Sequence, residues 1–427
     1  MTGSPPAAGP SSIPSANPSS NPSPNPASAP ASGPPSGRPP RFRSVMLLAF
    51  GQVAGWSALF YTFPAQLARY EDAFAGQGPS PALGLSLCLA ATALCAPTSG
   101  AWIDRGRAPW MMPAGALVGA AALAMLSRVE NLWCFFALWA LVGAASSFCL
   151  YEPCFALLTR ARGMGARKAI TAVTLVAGFA TLVAFPTVSA LDAAFGWRGA
   201  TLGMAALAGL VSAPLLAFGA RMAEAEAPPR PPGARRRGPS FRAALRRPGA
   251  ARVAVAFGGA SICHGLIASN VLPLMTELGA AEAVAIAAAS AMGPMQVVSR
   301  IALTLAPSRW PAAALSCVTL SMMALAATAL IFVAAGPWAA AGFVFLQGGA
   351  VGAMTILRPT TLVEAAGTED FGAVSGAVAM VLMLGMAVAP ALGAGLRALA
   401  GPEITLLAAA CLPALGATLL VPLFRRK

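Results

Sequence analysis

The chain has 427 residues, of which 57% are hydrophobic and only 10% charged, with mean hydropathy +0.71. A soluble domain carries about 25% charged residues, so this composition excludes a water-soluble globular protein. The net charge of +14 would suggest nucleic acid in a soluble chain, but here the placement of the basic residues gives it a topological meaning.

Residues 1–42 are built from Pro, Ser, Ala, Gly and Asn with almost no large apolar side chains. That composition cannot offset chain entropy by burial and predicts a disordered tail, without a cleavable signal peptide. Twelve apolar segments follow, near 44–67, 81–101, 109–127, 132–157, 169–190, 199–219, 252–274, 283–304, 312–333, 337–361, 372–396 and 403–423. Each has about the length needed to cross hydrocarbon, where only a helix satisfies its own backbone. A basic linker at 220–250 separates a six-helix half at 43–219 from a second at 251–424. Within it, SFRAALRRP reads as a short amphipathic helix, with Phe241, Ala244 and Leu245 on one side and Arg242, Arg246 and Arg247 on the other. Such a segment suits an anionic leaflet as a topological anchor.

With the N-terminus cytoplasmic, twenty-three Lys and Arg fall inside and four (Arg69, Arg128, Arg198, Arg397) outside, while Arg300 lies within a helix. This bias predicts a multi-pass protein of the inner (plasma) membrane with both termini cytoplasmic. Trp133, Trp197 and Trp338 then lie near the outer interface, and Trp110 and Trp310 near the inner one.

The halves repeat. AFGQVAGWSALFYTFP (49–64) is similar to AFGGASICHGLIASNVLP (256–273), and GAASSFCLYEP (143–153) aligns with GAVGAMTILRP (349–359). The second alignment sets Glu152 against Arg358. A lone charge of either sign costs roughly 2.5–3.5 kcal/mol at a helix centre in hydrocarbon. Repeats of this kind are typical of transporters, with substrate bound between them.

The loop after the second segment reads SGAWIDRGRAPW. It is similar to the pattern Gly-x-x-x-Asp-Arg-x-Gly-Arg: Gly100, Asp104, Arg105 and Arg107 match, Gly106 follows Arg105 directly, and one spacer residue is absent. In physical terms, Gly100 permits close helix approach. Asp104 can accept hydrogen bonds at a neighbouring helix N-terminus, and Arg105 and Arg107 can pair with acidic groups or lipid phosphate. On these residues the chain resembles the major facilitator superfamily (MFS) across 43–424. The resemblance implies a cytoplasmic latch at Gly100–Arg107 and a central cavity lined by helices one, four, seven and ten. FGWRGATL (195–202) and TRARGMGARKAITA (159–172) resemble the monocarboxylate and oxalate/formate porter branch. AFPTVSA (184–190) replaces the Gly-Pro-x-x-Gly-Gly signature of drug/proton antiporters.

On those cavity helices stand Gln52, Trp56, Tyr61, Glu152, His264, Asn270 and Arg358, with Arg300 on the eighth near Gln296. His264 is a proton relay or a packing residue. Arg300 contacts substrate or a backbone carbonyl. Gln52 and Asn270 line the cavity or join helices. Glu152 and Arg358 form a substrate site, in which an arriving anion displaces the carboxylate and the freed group takes a proton, or else a cytoplasmic gate. The eight cysteines show no CxxC and no His cluster, which predicts small buried hydrophobes. With no nucleophile constellation and no P-loop, neither catalysis nor ATP-driven pumping is expected, and no cofactor or metal.

The sequence therefore reads as an all-α membrane protein of twelve transmembrane helices in two six-helix pseudo-repeats. It is expected to be a monomeric secondary active transporter, proton-coupled, moving a small organic anion by alternating access. Proton-antiport efflux of drugs or hydrophobic compounds is the rival, and a non-transporting membrane sensor comes behind it.

Overall fold

A computed structural model describes residues 1–3, 42–229, 240–305 and 310–424. The expected disordered tail lies almost entirely outside the described residues. So do much of the basic linker and several of the cations counted for topology, among them Arg309 and Arg425.

Among the described residues, ten helical runs are long and apolar enough to cross a membrane. Two of them hold an internal break at a glycine, Gly196 (φ 69°, ψ 173°) and Gly401 (φ 84°, ψ 172°). A side chain would strain the backbone at either point. The described residues thus form twelve spans: α1 (Phe42–Ala73), α2 (Leu83–Asp104), α3 (Ala108–Leu126), α4 (Leu132–Arg162), α5 (166–195), α6 (197–226), α7 (Ala250–Glu277), α8 (Glu282–Leu305), α9 (Ala312–Ala335), α10 (Pro337–Ala366), α11 (371–400) and α12 (402–424). Among the described residues there is no strand. The sequence reading placed all twelve, though α1 and α4 run several residues further than their apolar cores.

Lipid gives helices no hydrophobic reason to associate, so small residues and close backbone approach carry the packing. A Cβ on Gly143 of α4 would fall 2.0 Å from the Cys88 carbonyl oxygen of α2, and the Thr92 hydroxyl donates to the Gly143 carbonyl at 2.8 Å. The second half repeats the device: a Cβ on Gly352 of α10 would lie 2.3 Å from the Gln296 carbonyl oxygen of α8.

Charge collects at one face, where the linker joins α6 to α7; we call it the linker face. There Arg160 pairs with Glu224 and Arg162 with Glu226, each at 2.8 Å, and Ser44 donates to Glu226 at 2.7 Å, which ties α1, α4 and α6. The expected amphipathic helix forms as Phe241–Leu245, with Ser240 as its cap. Just beyond it, Arg247 holds Asp370 at 2.8 Å before α11.

Candidate transport site between the halves

Several of the described helices lose regularity within their spans: α6 widens into a π-helix over Leu207–Ser212, and three others bear on the region between the halves. α1 widens into a π-helix over Ser57–Tyr61, α4 breaks at Leu150 (φ −84°, ψ −148°), and α5 is interrupted at Gly178 and Phe179. The break in α4 has a local cause. Pro153 has no N–H to offer the Cys149 carbonyl, and Gln52 Nε2 of α1 donates to that carbonyl instead, at 2.8 Å. Ser57 bridges the Val53 and Ala180 carbonyls at 2.7 and 2.8 Å, joining the irregular part of α1 to the restart of α5. Such backbone is tolerated at membrane depth only inside protein or against a cavity, and transporters build their sites from it.

Arg300 of α8 reaches into this region. It is 7% exposed, and its Nη1 donates to the Thr174 carbonyl of α5 at 3.4 Å. Gly178 admits it: a Cβ there would lie 2.8 Å from Arg300 Nη1. Arg300 stands five residues before the end of α8 at Leu305, about 8 Å of helix rise from the linker face, and its guanidinium reaches the Thr174–Gly178 stretch of α5, eight to twelve residues beyond the start of that helix at Ala166. Arg300 faces no carboxylate among the described residues, and its Nε is buried without a partner.

The other wall is aromatic. The Trp56 ring lies 4.8 Å from Tyr151, 5.2 Å from Phe60 and 6.3 Å from Tyr61, and Tyr61 lies 6.3 Å from Phe185. Ser57, next to Trp56, donates to the Ala180 carbonyl two residues past the Gly178 that admits Arg300, so this wall and the guanidinium meet the same stretch of α5. The Trp56 indole N–H is buried and has no acceptor among the described residues.

Toward the linker face the halves are fastened. Arg358 Nη2 donates to Glu152 Oε1, and Ser375 of α11 donates to Glu152 Oε2 at 3.4 Å. Both charged side chains are nearly buried, at 10% and 12% exposed for Arg358 and Glu152. Deeper into that face, the Asp104 carboxylate caps α11, accepting from Gly372 N at 2.8 Å and Ala373 N at 2.7 Å. α2 and α11 touch backbone to backbone here, since a Cβ on Gly100 would lie 1.8 Å from the Gly372 carbonyl oxygen. Gly106 (φ 77°) turns the chain sharply after Asp104, with Gly106 N bonded to Ile103 O at 2.8 Å and Arg107 N to Trp102 O at 3.1 Å. That pairing is a Schellman ending, and Arg107 then stacks over Trp102 at 5.3 Å. On the same face Arg167 donates to the Trp310 carbonyl at 3.4 Å.

A model of the Major Facilitator Superfamily matches residues 45–390. This chain belongs to that superfamily. No curated protein matches the sequence. The human organic anion transporter MFSD10 (TETRAN) shares the fold with TM-score 0.69 and 15% identity, over 90% of this chain and 100% of that one. FucP in the outward conformation matches with TM-score 0.66 and 13% identity, over 89% and 98% of the two chains. A variant of the E. coli fucose:proton symporter FucP matches with TM-score 0.65 and 14% identity, again over 89% and 98%.

For this MFS transporter the geometry separates the sequence candidates into groups. Glu152 and Arg358 meet each other, Arg300 and Trp56 frame the region between the halves, and Gly100, Asp104 and Gly106 shape the α2–α11 contact. Arg105 and Arg107 flank Gly106 in that turn. Gln52 is spent on the Cys149 carbonyl. Asn270 stays within its own half: its amide donates to the Leu266 carbonyl at 3.0 Å and packs where a Cβ on Gly393 of α11 would lie 2.7 Å away. His264 is partly buried, and its Nδ1 has no partner. Sequence reading missed Ser375, Phe60, Tyr151 and Phe185, and also Gln347. Gln347 is fully buried, and neither side-chain polar atom has a partner among the described residues. It stands eleven residues before Arg358, about three turns and the same helix face. A lone amide in FVFLQGGAV was the available signal; the aromatics gave none, because rings in apolar helices usually only pack.

Proposed function

We propose that this MFS transporter is a proton-coupled carrier of a small organic anion, with Arg300 as the group that receives the negative charge. The observation that carries the reading is a nearly buried guanidinium between the halves with no carboxylate partner among the described residues. Keeping an uncompensated charge there is expensive, and an anionic ligand removes the cost with a charge-assisted fork of hydrogen bonds. The reading rests on Arg300 and not on the organic anion and proton symport named for the two relatives, since 15% identity or less carries only the fold.

In this proposal Glu152 and Arg358 are a gate at the cytoplasmic face and not the primary anion site. Arg358 is already neutralised, so it offers an incoming anion far less than Arg300 does. When the gate parts, Glu152 is left without its cation, and in this proposal it carries the proton that crosses with the anion. Efflux of hydrophobic cations fits less well, because the bare Arg300 charge repels them.

The test is uptake of labelled carboxylates into vesicles holding the full chain under an imposed pH gradient. Accumulation is expected in the native protein and is expected to be lost in Arg300→Gln. Proton-driven accumulation of native size in Glu152→Gln would sink the coupling scheme. Uptake of native size in Arg300→Gln would sink the anion site.

A further inference from the structure

We propose that the transported anion is an aromatic monocarboxylate, its single carboxylate on Arg300 and its flat ring against Trp56, Tyr61 and Tyr151. This rests on the anion reading above and narrows its substrate class.

The charge argument limits the ligand to one anionic group. Among the described residues three guanidiniums approach the region between the halves: Arg167 sits at the linker face on the Trp310 carbonyl, Glu152 cancels Arg358, and Arg300 remains beside the aromatic wall. A dicarboxylate would place its second charge in a low-dielectric space with no cation left to meet it. The wall argues for an aromatic body. Trp56 and Tyr151 lie 4.8 Å apart and tilted by 49°, and Tyr151 in turn stacks on Phe155 at 4.9 Å, so each ring holds its neighbour in place. A wall pre-organised in this way presents faces and edges to a flat ring at little entropic cost. A short aliphatic acid would reach Arg300 and leave that wall unused. A polyol would need a set of side-chain donors and acceptors, whereas this wall offers two tyrosine hydroxyls and the Trp56 indole N–H. That N–H is buried without an acceptor among the described residues. It supplies one directed hydrogen bond to the carboxylate or to a polar ring substituent.

The experiment uses the full chain in sealed vesicles at neutral pH, with protein-free vesicles subtracted. Four labelled acids are compared: 4-hydroxybenzoate, cyclohexanecarboxylate, acetate and terephthalate. Aromatic contacts of this kind contribute about 0.5–1.5 kcal/mol beyond area, so 4-hydroxybenzoate is expected to outrun cyclohexanecarboxylate by several-fold. It is expected to outrun acetate, which leaves the wall unused, and terephthalate, whose second carboxylate meets no cation, by roughly ten-fold or more. Trp56→Leu is expected to erase the margin over cyclohexanecarboxylate, and Trp56→Phe to keep most of it. If acetate or cyclohexanecarboxylate matches 4-hydroxybenzoate while uptake still falls in Arg300→Gln, the aromatic assignment is overturned and anion transport stands; if terephthalate matches it, the limit to one carboxylate is overturned. If none of the four shows Arg300-dependent uptake, both readings fall together. The wild-type comparison needs no variant, so a poorly folding Trp56→Leu does not protect the proposal.

Discussion

Two arginines of the same chemical type take different parts because of what faces them. Arg358 meets a carboxylate and Arg300 meets a backbone carbonyl. Removing one partner of a nearly buried ion pair costs about 3–5 kcal/mol, chiefly by leaving the other charge unmatched. Glu152→Gln is therefore expected to lower the melting temperature clearly, while the reversed pair, Glu152→Arg with Arg358→Glu, recovers most of the loss. Thermal melts of the purified variants check this; a swap no better than the single variant would show that Ser375 and the local backbone, and not the pairing, hold the contact. At Arg300 the guanidinium shape matters as well as its charge. Arg300→Lys keeps the cation but loses the fork, so anion uptake is expected to drop partly, and less than in Arg300→Gln. Equal loss in both variants would argue for geometry alone.

At the scale of elements, the start of α11 is held by the other half through two carboxylates: Asp104 on its first backbone N–H groups and Glu152 on Ser375. An N-cap of this kind contributes about 0.5–2 kcal/mol. Asp104→Ala is expected to lose it, and Asp104→Asn to keep much of it, since the amide oxygen still accepts. Paired melts in detergent measure the difference. Gly100 has less freedom, because a Cβ 1.8 Å from the Gly372 carbonyl oxygen cannot be absorbed by a side-chain rotation. The backbones of α2 and α11 must part. Spin labels on the linker-face ends of these two helices are expected to report a longer distance in Gly100→Ala than in the native chain. An unchanged distance would mean that the helices slide past one another without separating.

For the whole molecule, the polar contacts described between the halves gather toward the linker face: Asp104 on α11, Glu152 on Arg358, Arg300 on α5 and Arg167 on the Trp310 carbonyl. Alternating access requires these to break together while others form at the opposite face. A ligand shifts that equilibrium only as far as its affinity differs between the two states. If Arg300 receives the anion, 4-hydroxybenzoate is expected to change the α2–α11 label distance in the native chain and to leave it unmoved in Arg300→Gln. Equal response in both would place the ligand elsewhere.

Much of this was legible in one dimension. Hydrocarbon tolerates only self-satisfied backbone, so apolar run lengths determined twelve helices, and the repeated residues around Glu152 and Arg358 determined two related halves. A close helix approach at Gly100 and an Asp104 contact with a neighbouring helix N-terminus were also readable from the residues, whereas the turn at Gly106 came only with the structure. What the tertiary structure decided was partnership. Nothing local tells Arg358 that a carboxylate 206 residues away will neutralise it, or Arg300 that none will. Nor does Pro153 reveal that Gln52 will take the carbonyl it frees. A polar residue in a membrane is defined by the group across from it, and that group is chosen by the packing of helices far apart in the chain.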